Sequence, residues 1–190
     1  MLTRDEAINL LKEENPEPGI FNHALASEAV LRELALHLDQ PDDIVELWAM
    51  TGLLHDVDYP RTKGNPFRHG LDAAELIGGG LPEAGIYAIK AHNGEYTGVA
   101  PKSQFDYALR CGETVTGLIT AASLVRPAGI EGMEAKSLKK KMKDKAFAAS
   151  VNREIIKECE HLGLELTDFL NLAIKAMSAI GQNQLRTERI

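Results

Sequence analysis

The chain has 190 residues, 44% hydrophobic and 26% charged, and its 21 Lys and Arg against 28 Asp and Glu give a formal net charge of −7. Such a composition fits one soluble globular domain with a sizeable core, and no run approaches the roughly 18 apolar residues of a membrane span. Residues 1–135 carry 10 basic and 21 acidic side chains, whereas KSLKKKMKDK at 136–145 carries 6 Lys and 1 Asp, and an acidic body with one basic stripe argues against a general nucleic-acid binder.

Thr3 with Glu6 reads as a capping box that opens a first helix, broken by Asn15-Pro16-Glu17-Pro18-Gly19. Acids inside this first apolar stretch exclude a signal peptide. A second helix is predicted from Ile20 to Leu38, with Val30, Leu34 and Leu38 on one stripe. Pro41 opens a third, through Ile44, Leu47, Trp48, Thr51 and Leu54, which is apolar on several sides and so central. A loop from Tyr59 to Pro66 precedes a helix from Phe67 to the turn at Gly78-Gly79-Gly80, and Pro82 starts another that ends at His92. After an irregular stretch to Pro101, Ser103 and Asp106 cap a long helix to Arg126. Beyond the basic stripe come a helix ending at Leu162-Gly163 and a last one from Thr167 to Ile180. No strand pattern is found, so the expected fold is all-α. Cys111 and Cys159 stand alone with no CxxC spacing, which points to a reduced, cytoplasmic protein without a disulfide framework.

The histidines carry the chemistry. His55 and Asp56 are adjacent at the end of the central helix, His23 lies in the second helix, His69 after the loop and His92 at a helix end. Imidazole and carboxylate are the ligands of zinc, manganese, iron and related ions. Neighbours on a regular helix diverge by about 100°, but at a helix end the backbone can turn both toward one centre. His37 lies about 21 Å along the helix axis from His23, and His161 precedes a helix-ending glycine, so both are read as structural.

The order of these residues resembles the HD-domain family of metal-dependent phosphohydrolases. The resemblance rests on His23 in FNHALASEAVLREL, the doublet in GLLHDVDYP, His69 in RHGLDAAELI, His92 in AIKAHN and the segment CGETVTGLITAASLVRP. KKKMKDKAFAASVNRE is similar to a stretch found in one small bacterial and archaeal subgroup. The resemblance implies a single helical domain over 1–190, with a metal-site core at 20–127 and a helical extension from 128. It also implies one or two divalent ions (Mn, Fe, Co, Zn, Ni or Mg). His23, His55, Asp56 and the acid of the last helix would hold one ion, and Asp56 would bridge to a second at His69 and His92. Where the family has Asp, this chain has Glu113, one methylene longer; Asp106, seven residues earlier, is the alternative acid or a capping residue.

The implied reaction is hydrolysis of a nucleotide or other small phosphate ester by metal-bound hydroxide, which needs no Ser or Cys nucleophile. Asp58 is expected either to accept a proton or to orient a ligand histidine. Arg61, Lys63 and Arg68 are the expected phosphate contacts. The stripe Lys136–Lys145 is a solvated face, a polyphosphate site or a contact for the acidic body of a second subunit in a homo-oligomer. Two rival readings stay open: a di-iron oxygenase on the same scaffold, and a non-catalytic, metal-stabilised binding module.

Overall fold

The segment 47–55 is apolar on every side and buried throughout, and the other helices assemble around it. The computed structural model describes residues 1–14 and 17–187, with side chains described through Ile180. In chain order the helices are α1 (Arg4–Glu14), α2 (Pro18–His37), α3 (Asp42–Leu54), α4 (Tyr59–Thr62), α5 (Leu71–Ile77) and α6 (Glu83–His92). Then come α7 (Gly94–Thr97), α8 (Gln104–Leu124), α9 (Ala135–Met142), α10 (Arg153–Lys157) and α11 (Leu166–Thr187). No strand occurs among the described residues, so the all-α expectation holds.

Helix α2 lies along α3 at very close range. A Cβ at Gly52 would stand 2.8 Å from the Ser27 carbonyl oxygen, so only a glycine lets the two backbones approach this far. On the other side of α2 runs α8, whose start is fixed by a capping box. Ser103 Oγ accepts from the Asp106 amide, and Asp106 Oδ2 accepts from the amides of Ser103 and Lys102. Asp106 is therefore a cap, which removes it as the alternative acid. Trp48 of α3 stacks on Phe105 of α8 with ring centroids 5.0 Å apart, closing the core between them. Residues of α9, α10 and α11 join the same apolar cluster, through Leu138, Ile156, Phe169, Leu170 and Ala173.

Several boundaries differ from expectation. Helix α2 starts at Pro18, its rigid φ suiting a first helical position; Asn15 and Pro16 of the predicted break lie outside the described residues. The predicted loop after the doublet contains α4, and the helix expected from Phe67 begins only at Leu71. Gly70 adopts φ +87, which interrupts the helix and turns the chain into it. The long helix ends at Leu124 rather than Arg126, and the last one begins at Leu166. The basic stripe is mostly helical: α9 docks through Ala135 and Leu138 and keeps its lysines outward. His161 stacks on Tyr107 at 3.9 Å, a packing role, and His37 is exposed at the end of α2.

The α2–α3 contact yields a stability prediction. Gly52→Ala adds a methyl group against backbone that cannot yield, and should destabilise the fold by about 1–3 kcal/mol despite alanine's better helix propensity. Urea unfolding followed by circular dichroism measures this as a lower midpoint at unchanged slope.

Candidate metal centre

Three helices, α2, α6 and α8, and the turns at 55–58 and 66–70 bring their chemistry to one point. His55 is the residue at which α3 ends, and the chain beyond it tightens, Val57 N donating to Leu54 O and Tyr59 N to Asp56 O. This tightening brings Asp56 Oδ1 to 3.3 Å from His55 Nε2. His92 is the last residue of α6. The last turn of a helix leaves carbonyls without intrahelical donors, and both histidines use one: His55 Nδ1 donates to Gly52 O at 2.8 Å and His92 Nδ1 to Ile89 O at 2.5 Å.

The other two imidazoles are anchored through side chains. Thr116 Oγ1 donates to Glu113 O, so it must accept from His23 Nδ1, at 2.8 Å. His69 Nδ1 donates to Asp58 Oδ1 at 2.8 Å. All four histidines thus spend Nδ1 on an oxygen and turn Nε2 inward. The Nε2 atoms of His23 and His55 lie 3.2 Å apart, and those of His69 and His92 3.1 Å apart. Asp56 stands between the pairs, with Oδ1 3.2 Å from His69 Nε2 and 3.6 Å from His92 Nε2, and Oδ2 3.6 Å from His23 Nε2. Glu113 Oε2 is 3.7 Å from His23 Nε2.

This arrangement suits cations. Imidazole nitrogens with no proton to share repel one another at such distances unless a proton or a metal lies between them. Two groups, His23–His55–Glu113 and Asp56–His69–His92, each keep their ligand atoms within 4.8 Å of one another, and either could hold a divalent ion. Glu113 reaches the site in spite of its extra methylene.

The charges respond strongly to the enclosure. Burial opposes ionisation of Asp56, yet the imidazoles of His55, His69, His92 and His23 hold its carboxyl well below the usual range. Burial lowers the pKa of His55 to about 3 and also lowers that of His23. For His69, burial is outweighed by hydrogen bonds to Asp56 and Asp58, and its pKa rises to about 10. Burial pushes Glu113 up to about 8, against a hydrogen bond from Thr114.

Beside the ligand atoms opens a cavity of about 490 Å³. Asn93, Tyr96, Thr114, Ser150, Asn152 and Ile155 contribute to its wall. The last three come from beyond residue 128, so the C-terminal segment helps to build the site. Asp58 does not line it. This carboxylate is fully buried, and its second oxygen accepts from the amides of Gly70 and Ala73 at 2.7 and 3.0 Å. Of its two expected roles, this placement suits the orientation of His69. Of the expected phosphate contacts Arg61, Lys63 and Arg68, none is in the cavity wall. Arg61 pairs with Glu14 at 2.5 Å, and Arg68 pairs with Asp72 and Glu75, so their charges are already answered by acids.

Two contributors escape sequence reasoning. Thr116 is three residues after Glu113, but nothing in the sequence links it to His23 across 93 positions. Arg110 is buried and donates to the carbonyls of Ala91 and His92 while pairing with Glu95 and Glu158, which fixes the helix end that carries His92.

Two predictions follow from these anchors. Asp58→Asn places an amide donor opposite His69 Nδ1 and should weaken metal binding about 10–100-fold with helical content retained; chelator competition and circular dichroism measure the two. In the metal-free protein, His69 and Glu113 hold protons at neutral pH that a metal must displace. Adding a divalent ion at about pH 7 should therefore release one to two protons, and affinity should rise from about pH 6 to about pH 8, measured by calorimetry in buffers of different ionisation enthalpy.

A family model described as HD domain matches residues 20–128. Searches of curated proteins and of solved structures find no match. The matched segment contains His23, His55, Asp56, His69, His92 and Glu113 and covers more than half of the sequence, and the chain belongs to the HD domain family.

Proposed function

We propose that the protein is a metal-dependent phosphohydrolase acting on a small phosphate ester. The observation that carries this reading is the shared orientation of the four imidazoles, each bound through Nδ1 and aimed through Nε2 at Asp56 and Glu113. Membership of the HD domain family supports it, since that superfamily consists mostly of metal-dependent phosphohydrolases. His23, His55 and Glu113 would hold one ion and Asp56, His69 and His92 the other, with Asp56 reaching both groups. Bound divalent ions supply Lewis acidity toward a phosphoryl oxygen and lower the pKa of water.

The chain's own groups then do the positioning. Thr116 and Asp58 keep His23 and His69 from rotating, and Arg110 holds His92 in register. Asn93 is itself fixed by donating to the carbonyls of Pro66 and His69. Tyr96, half-exposed with Phe67 packed edge-on at 5.7 Å, gives the cavity an aromatic rim for the organic part of the ester. No Lys or Arg occurs among the described residues of the lining. The metal ions would therefore answer most of the phosphate charge, which suits one phosphoryl group better than a polyphosphate chain.

Phosphate release from nucleoside monophosphates and simple monoesters, with added Mn²⁺, Co²⁺ or Mg²⁺, tests the proposal. Asp56→Ala should lose bound metal and reduce turnover by at least ~10³-fold, the equivalent of about 4 kcal/mol of charge stabilisation. Turnover that survives Asp56→Ala or complete metal removal would overturn it. So would substrate-dependent oxygen uptake by an iron-loaded protein without phosphate release, the outcome of an oxygenase.

A further inference from the structure

The basic stripe is not spread evenly over the surface. Lys139, Lys143 and Lys145, together with Arg153 and Lys157, converge on a second cavity of about 460 Å³, within the ~300–1,000 Å³ range of small-molecule sites. Met142 and Leu166 give it an apolar floor. Glu154 is the acid in its wall, and Lys157 answers it at 2.8 and 3.1 Å. The neighbouring Asp144 turns its carboxylate to the amide of Ala146.

The remaining four cations form no ion pair among the described residues. Lys139 donates to the hydroxyl of Thr167. Lys143 and Lys145 are exposed and have no ion-pair partner among the described residues. Arg153 spends its terminal nitrogens on the carbonyls of Phe147, Ala148 and Val151, so its charge meets no carboxylate, and its Nε is buried without a hydrogen-bond partner. Elsewhere Arg4, Arg32, Arg61, Arg68 and Arg110 each meet a glutamate or aspartate, whereas Arg126, like Arg153, donates to backbone carbonyls. With a net charge of −7, acids are available, yet none among the described residues pairs with these four.

We propose that this groove is a binding site for a compact polyphosphate group, carried by inorganic polyphosphate or by a nucleotide. Three or four negative charges spaced along a short chain match four converging cations, and a concave site of this volume selects a small anion over an extended one. The site is separate from the metal centre, although α10 divides the two: Val151, Asn152 and Ile155 face the metal-centre cavity, and Arg153 and Lys157 face the groove.

Calorimetric titration of the full chain with inorganic tripolyphosphate, in the absence of divalent ions, tests the site. Saturable binding is expected in the unaltered protein and, at equal affinity, in Asp56→Ala. The double variant Lys143→Glu, Lys145→Glu should lose about tenfold or more in affinity, with an unchanged melting curve because both side chains are exposed. The milder Lys143→Ala, Lys145→Ala pair should show the same loss on a smaller scale. Raising salt from about 50 to about 200 mM should weaken binding. A nucleoside triphosphate that binds as tightly as tripolyphosphate identifies the polyphosphate chain as the recognised group; tighter binding adds a nucleoside contact in the same groove. The proposal fails if tripolyphosphate does not bind, or if binding is lost in Asp56→Ala and kept in the double variant. It also fails if a short duplex oligonucleotide binds more tightly and loses that binding in the double variant, which marks a nucleic-acid surface.

Discussion

One constraint governs the molecule: four imidazoles must turn their Nε2 atoms to the same small volume, beside two carboxylates, inside a helical core. Each ring has two nitrogens, and only a fixed bond at one makes the other dependable. The chain meets this need in two ways. At the ends of α3 and α6 the rings of His55 and His92 bond to carbonyls of their own helices, so helix termination itself orients them. For His23 and His69 it brings in partners from elsewhere, Thr116 on α8 and Asp58 after α3. The second device demands accurate packing, because both partners must arrive from other segments.

That demand explains features which otherwise look merely structural. Gly52 lets α2 approach α3 until His23 and His55 meet at 3.2 Å. A Cβ at Gly70 would stand 2.8 Å from the Ile89 carbonyl and 3.3 Å from His92 Cε1, so its bare backbone admits His92 beside His69. Arg110 is a buried charge, which is costly unless it is paired. Its two glutamates and two backbone carbonyls supply that pairing at the place where α6 ends. The core and the site are therefore one system, and packing changes along α2 and α3 would be felt first as errors in ligand position.

The helices were legible in the sequence through local pattern, and the candidate ligand histidines through their order, which resembles that of the HD domain family. The capping box of α8, the all-round apolar α3 and the placement of His55 and Asp56 at a helix end are written in residues a few positions apart. The cavity was not legible for the opposite reason. Ser150, Asn152 and Ile155 enter it from a segment that sequence reading placed outside the metal-site core, and no local signal announces a wall contributed across such a separation. The cations of the loop show the same limit. Arg61 and Arg68 lie near the ligands along the chain, but nearby acids claim them, and proximity in sequence gives no account of such competition.

Charge then separates the two halves of the molecule. In the candidate metal centre the chain has gathered acids and imidazoles with no Lys or Arg among the described residues of the cavity wall, so under the proposed reading its attraction for a phosphate would depend on bound metal. In the groove beside α9 the cations are built into the chain and their attraction is permanent, though screened by salt. One wall, α10 with its preceding residues, stands between these fields. Arg153 bonds back to Phe147, Ala148 and Val151 and so holds the turn that delivers Ser150 and Asn152 to the metal-centre cavity. The same guanidinium lines the groove. The residue that shapes the wall of one site is thus part of the charge of the other, which gives the C-terminal segment a structural reason to be more than an appendage to the metal-binding helices.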